Sequence, residues 1–206
     1  MSKDVDELKK ELVKTIRFLH GQGWAPATSS NYSFREVGAQ QIWISASGID
    51  KGRFKKKDLM LVDLEGKAVN DSRKSSAETK LHTMLYALYP EVNCILHTHS
   101  ILNNVVSKAH EEKGALAFTG IELQKAIQGI RTHESTVVLP IFPNSQDMEA
   151  LAAGIKSRLT SECAPGFLLS AHGLYAWGDS IAAARRHIEA FEFLISYTYH
   201  LHSYNP

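Results

Sequence analysis

A neutral histidine ring is a common ligand for transition metals, and this chain sets two of them one residue apart in Leu96-His97-Thr98-His99-Ser100. The apolar run Val92 to His97 reads as a strand, and residues two apart on a strand face the same way, so the two imidazoles converge. On spacing alone a pair of surface histidines would look the same. A third histidine, in Ala171-His172-Gly173, closes another apolar run just before a glycine able to take an unusual turn. Three imidazoles with an open position form a catalytic rather than a structural metal site. Nitrogen ligands suit zinc, and also iron, cobalt, nickel or copper; one zinc ion per chain is the expectation. The other histidines, at 20, 82, 110, 133, 187, 200 and 202, lack strand-end placement and read as surface or packing residues. His82 stands apart, one helical turn beyond Glu78 on the same face.

Three segments of small residues could hold an anion: Thr28-Ser29-Ser30-Asn31, Ser45-Ala46-Ser47-Gly48 and Lys74-Ser75-Ser76. Each offers hydroxyls and accessible backbone N–H groups, and the third precedes a helix whose N-terminus favours negative charge. Singly each is an ordinary turn or cap; together they suggest a phosphate pocket. The basic cluster Lys51 to Lys57 reads as a solvated turn rim that could also raise the potential for an anionic substrate. By spacing alone Glu122 is a solvated helix carboxylate.

These residues need a frame. Val5, Leu8, Leu12, Ile16 and Leu19 lay an apolar stripe on a helix ended near Gly21 and Gly23. Pro26 to Ser33 is a loop leading into a short strand. Gln41 to Ser45, Leu59 to Leu64, Val92 to His97, Thr136 to Phe142 and Phe167 to Ala171 read as strands. Ala77 to Tyr89, a segment after His99, Asp147 to Leu159 and Asp179 to Tyr199 read as helices, with Ser145 and Asp179 as caps. The aromatic residues Phe191, Phe193, Tyr197 and Tyr199 are expected first in the core and second against another subunit. Strands and helices alternate without repeats or a dividing linker, so one α/β domain over residues 1–206 is expected.

Composition closes off other classes. Lys and Arg total 23 against 22 Asp and Glu, a net charge of +1, which provides no broad footprint for nucleic acid. No run approaches the roughly 20 apolar residues of a membrane span, and the start at Met1 shows no apolar export region. Two cysteines far apart, Cys94 and Cys163, make no disulfide framework and fit a reducing cytoplasm.

Taken in order, the segments ATSSNYS, ISASGIDKG, KSSAETKLH, VNCILHTHS and LLSAHGLYAWG resemble the class II aldolase and adducin family over nearly the whole chain. The resemblance implies a central, largely antiparallel sheet flanked by helices on both sides, and a homo-oligomer, specifically a homotetramer. It assigns the metal to His97, His99 and His172, and a substrate phosphate to Ser30, Asn31, Ser47, Gly48 and Ser76. Within the family, GWAPATSSNYS, SAETKLH and IELQKAIQGI resemble its dehydratase branch, which implies loss of water from 5-methylthioribulose 1-phosphate, a phosphorylated ketose of methionine salvage. There the zinc ion would stabilise an enediolate while Glu122, followed by Lys125, serves as acid and base. Glu78 matches the acidic residue of the sugar-phosphate aldolases and ranks second. Where those aldolases show two serines before that acid, this chain has Ser76 and Ala77, which puts one phosphate contact in question. A sugar-phosphate aldolase or epimerase using Glu78, and a non-catalytic adducin-like binding module, are the competing readings. Three intact converging histidines argue against the last.

Overall fold

The computed structural model describes residues 4–73, 75–160 and 163–204. The stripe predicted near the N-terminus forms α1 (Val5–Gly21), which buries Leu12, Ile16 and Leu19. Three short strands follow: β1 (Tyr32–Phe34), β2 (Gln41–Ser45) and β3 (Leu59–Asp63). Then come α2 (Thr79–Leu88), β4 (Cys94–Thr98), α3 (Ile101–Ala109), β5 (Ala115–Phe118), β6 (Val137–Phe142), α4 (Met148–Arg158), β7 (Gly166–Leu169), β8 (Gly173–Gly178) and α5 (Ile181–Tyr204).

The eight strands make one sheet in the order β3-β2-β1-β4-β8-β7-β6-β5. Its pairings are antiparallel except β6 with β7, as expected of a largely antiparallel sheet. Alternation along each strand feeds two cores. Leu96, Leu174 and Ala176 pack towards α1 and α5, whereas Ile95, Tyr175 and Trp177 pack towards α2 and α4. Helices therefore cover both faces, and the ends of the strands are left for chemistry.

Several local expectations are corrected. β5 and β8 were not legible as strands. β5 is four residues long with two alanines, which have weak strand propensity, and it lies at the sheet edge beside β6. β8 begins and ends in glycine, which masks a fully buried run. The caps also differ by a residue or two: Asp147, not Ser145, accepts the hydrogen bond from Ala150 N at the start of α4, and Ser180, not Asp179, accepts that from Ala183 N in α5. Of the C-terminal aromatics only Phe191 enters the core; Phe193, Tyr197 and Tyr199 are exposed.

Gly173 does not provide the unusual turn. It is the first residue of β8, and the left-handed residue is Ala171, at φ 51°. Ser107 Oγ accepts from Ala171 N, and Asn104 Nδ2 donates to the His172 carbonyl, so α3 holds that turn. Glycine is needed at 173 for another reason. A Cβ there would lie 2.0 Å from the Thr98 carbonyl oxygen and 2.9 Å from His97 Cε1. Gly173→Ala should therefore push β8 away from β4 and cost roughly 1–3 kcal/mol, the usual range for overpacking. Urea unfolding would measure it, and an unchanged midpoint would contradict the close approach.

Candidate metal centre and active site

The predicted histidines meet. His97 lies on β4, His99 just beyond its end, and His172 in the turn between β7 and β8, all at one end of the sheet. Their ring centroids are 4.5 Å (97 to 99), 5.0 Å (97 to 172) and 4.7 Å (99 to 172) apart. Nitrogen atoms of all three lie within 4.8 Å of one another, close enough for one ion. Backbone bonds from His97 N to Asn31 O and from His99 N to Trp24 O tie this strand end to the first small-residue loop and to the residues just before it.

The donor set fits a metal on independent grounds. His97 Nδ1 donates to the Leu174 carbonyl at 3.0 Å, which leaves the lone pair on Nε2. That Nε2 is buried without a hydrogen-bond partner among the described residues, and it lies 3.3 Å from Glu78 Oε2. Two lone-pair atoms so placed repel each other unless a cation lies near both. Burial pushes the His97 ring well below its ordinary pKa, and burial with the neighbouring His172 brings His99 down to about 4. Both rings are thus neutral at physiological pH, the form that ligates.

Glu78 stands at the N-terminus of α2 and joins the cluster. It lies 3.6 Å from His172 Nε2 and accepts hydrogen bonds from Asn31 Nδ2 at 2.7 Å and Tyr175 OH at 2.6 Å. Burial opposes its ionisation, but His97, His172, Tyr175 and Asn31 together outweigh it and hold the carboxyl below its ordinary range. Asn31 bridges onward, since its Oδ1 is hydrogen-bonded to His82 Nε2, and His82 Nδ1 to Ser33 Oγ. His82 is thus more than packing: it fixes the Asn31 amide that holds Glu78. The Asn31 side chain, expected at the phosphate, is engaged with Glu78 and His82.

A cavity of about 140 Å³ opens beside His99 and Glu78. Its lining includes Ser30, Asn31, Ser47, Gly48 and Ser76, so the structure brings the five expected phosphate residues together. Lys74 of the third segment lies outside the described residues. Ser29, part of the first small-residue segment but not among the five residues assigned to the phosphate, also lines the cavity, and its buried Oγ has no hydrogen-bond partner among the described residues. Lys51 is a correction as well. It is 1% exposed, not part of a solvated rim, and its Nζ donates to the carbonyls of Thr28 and Ile49. A larger cavity of about 580 Å³ runs between α1, α3 and α5, but it is lined mainly by apolar surface and none of the three histidines reaches it.

Glu122 is elsewhere. β4, β6 and β7 run in one direction and β5 in the other, so the chain leaving β5 at Phe118 emerges at the opposite end of the sheet from the histidines. Glu122 sits there in a short 3-10 helix, Glu122–Ala126, with its side chain 72% exposed. It pairs with Lys125 and lies 3.6 Å from His133. Its hydrogen bond with Lys125 holds the carboxyl below its ordinary value, so it is an anion. Within one chain the structure does not bring Glu122 to the metal centre.

The description Class II Aldolase and Adducin N-terminal domain matches residues 10–199. The chain belongs to the class II aldolase and adducin family. Two similar proteins are methylthioribulose-1-phosphate dehydratases. That of Xanthomonas campestris pv. campestris (strain 8004) is 47% identical over 189 residues, 92% of this chain and 87% of the relative. That of Hahella chejuensis (strain KCTC 2396) is 48% identical over 189 residues, 91% and 90% of the two chains. Among solved structures, an L-fuculose 1-phosphate aldolase superposes with a TM-score of 0.79 at 19% identity, covering 100% of this chain and 90% of that one. The aldolase from Thermus thermophilus gives 0.77 at 20% identity, with 97% of each chain covered. At such identity these structures establish the class II aldolase fold alone.

Two outcomes follow from the cluster. The purified protein should carry about one divalent transition metal per chain by elemental mass spectrometry, and His97→Ala or His99→Ala should remove most of it; full metal content in both variants would refute the site. The second concerns acid. Burial lowers His82 to about 4 from an ordinary 6.5, so its contribution to stability is complete above pH 6.5 and is lost as pH falls towards 4, because the unfolded chain takes up the proton first. His97 and His99 act with the same sign. The urea midpoint of the metal-free protein should drop between about pH 7.5 and about pH 5, and less steeply in His82→Gln. Parallel slopes would show that His82 is not buried neutral.

Proposed function

We propose that this chain is a hydro-lyase that removes water from 5-methylthioribulose 1-phosphate to give 5-methylthio-2,3-dioxopentyl phosphate, a step of methionine salvage. The observation that carries the reading is 47–48% identity, over about nine-tenths of the chain, to dehydratases named for that substrate. The three histidines beside a cavity of hydroxyls and amides support it, because the reaction needs an electrophile near a ketone and a hold on a phosphate. The whole chain is read as one catalytic domain. Two free thiols, Cys94 and Cys163, accord with a cytoplasmic setting.

In this reading His97, His99 and His172 would hold one zinc ion. When bound, the ion supplies Lewis acidity at the carbonyl on carbon 2. Ser30, Ser47, Gly48 and Ser76, with the Asn31 backbone beside them, bind the phosphate and orient the sugar. The Glu122 carboxylate takes the proton from carbon 3, and as a carboxylic acid returns it to the hydroxyl on carbon 4, which departs as water. The enol left behind relaxes to the diketone, and Glu122 ends as it began. Because Glu122 sits at the far end of its own sheet, the role requires a second copy of the chain to present it. The proposed homotetramer provides for that, and the exposed Ile101, Phe193 and Leu201 supply apolar surface for such contacts.

One observation favours a rival. Glu78, not Glu122, touches His97 and His172, as an aldolase-type mechanism based on Glu78 would require. The experiment is direct. With the phosphorylated ketose as substrate and the product identified by mass, Glu122→Gln should retain metal and fold but lose roughly two to four orders of magnitude in turnover. Mixing inactive Glu122→Gln with inactive His97→Ala should restore part of the activity, since mixed oligomers contain sites with both groups intact. A dead Glu78→Gln beside a nearly normal Glu122→Gln would instead move the aldolase-like reading ahead.

A further inference from the structure

Lys51 is a buried cation that neither the metal centre nor the acid and base described above uses. Its side chain is 1% exposed, and no carboxylate lies within ion-pair distance of its ammonium among the described residues. Asp50 is next in sequence, but its carboxylate accepts from Gly52 N and faces Arg53. Among the described residues the ammonium has only the carbonyl oxygens of Thr28 at 3.1 Å and Ile49 at 3.0 Å. A charge removed from water is costly unless it is paired, and two carbonyl dipoles compensate it only in part. Burial brings it down to about 8, in keeping with incomplete compensation.

The two carbonyls belong to the two loops that wall the 140 Å³ cavity. Thr28 lies in the first loop, and Ile49 directly follows Gly48 of the second. The first loop is strained, with Thr28 at φ 62° and Ser30 at φ 72°, the left-handed region that non-glycine residues occupy only when their surroundings hold them there. A single ammonium therefore ties both walls in place from behind, close enough to the metal ligands for its charge to act on His99. The first loop also offers the Ser29 hydroxyl, which is buried without a hydrogen-bond partner among the described residues.

We propose that Lys51 is the positioning residue of the anion pocket: it clamps the Thr28 and Ile49 loops, and its uncompensated charge is matched by the phosphate of the substrate. The inference rests on reading the cavity as a phosphate site. It assigns the positive charge of that site to a residue that would not touch the ligand, with hydroxyls and amides making the direct contacts.

Inorganic phosphate is the probe, titrated calorimetrically into the metal-loaded full chain. Lys51→Met, which keeps the length and loses the charge, should weaken phosphate binding about tenfold or more, the scale of one charge-assisted interaction, at unchanged metal content. Lys51→Arg should keep binding within about threefold. In turnover assays Lys51→Met should raise KM by a similar factor and change kcat far less, a split that general loosening would not produce. Equal phosphate affinity in wild type and Lys51→Met would overturn the role of Lys51 and leave the pocket standing. Failure of the wild type to bind phosphate would remove the pocket reading itself. Should Lys51→Met not fold, the ammonium resonance of Lys51 in the wild type decides: it should shift on phosphate addition, and a resonance that stays in place overturns the proposal.

Discussion

The catalytic end of this protein depends on how closely β8 lies against β4. His97 and Thr98 pair with Tyr175 and Leu174 in that ladder, and the approach is so tight that only a glycine fits opposite the Thr98 carbonyl. This contact delivers His172 to His97 on β4 and to His99 just beyond it. It also stacks Tyr175 on the His97 ring, with centroids 3.9 Å apart, and sets the Leu174 carbonyl against His97 Nδ1. Ligand position, ring orientation and tautomer thus follow from one pair of neighbouring strands.

Around that pair the polar groups form a connected set. Tyr86, Ser33, His82, Asn31, Glu78 and Tyr175 follow one another by hydrogen bonds from the floor of the sheet to the metal centre. Buried polar groups are tolerable when each has a partner, and such a set resists rearrangement. On the opposite face Thr98, placed between His97 and His99, donates to Glu192 of α5. Burial raises Glu192 to about 7 against the hydrogen bonds it accepts there. The strand end is gripped from both sides, while His97 Nε2 has no hydrogen-bond partner among the described residues.

The two glutamates show how topology assigns chemistry. Glu78 is held at the histidines because α2 starts where β4 ends, whereas the reversed direction of β5 carries Glu122 to the other end of the sheet. The same fold could therefore serve a reaction with its acid and base in one chain or with one drawn from a neighbour. Fold likeness to aldolases cannot choose between them, because function resides in the site.

The sequence by itself pointed to three histidines that could converge, and determined the helices and most strands. Alternation on Val92 to His97 dictates that His97 and His99 share a face, whatever surrounds them, and the periodicity of Val5 to Leu19 dictates α1. The small-residue segments were legible as one pocket through their hydroxyls and the family resemblance they carry. What remained hidden depends on distant pairing. β5 and β8 lack a local signal because alanine and glycine have little strand preference, so neighbouring strands decide them. Lys51 looked like one of several surface lysines; only the packing of two loops, 23 residues apart at Thr28 and Lys51, buries it. The His82 to Asn31 to Glu78 bridge spans 51 and 47 residues of sequence, and no periodicity reports such contacts. Only the tertiary structure could decide that Glu78 and Glu122 lie at opposite ends, because strand direction is set by which strands pair, not by the residues of either strand alone.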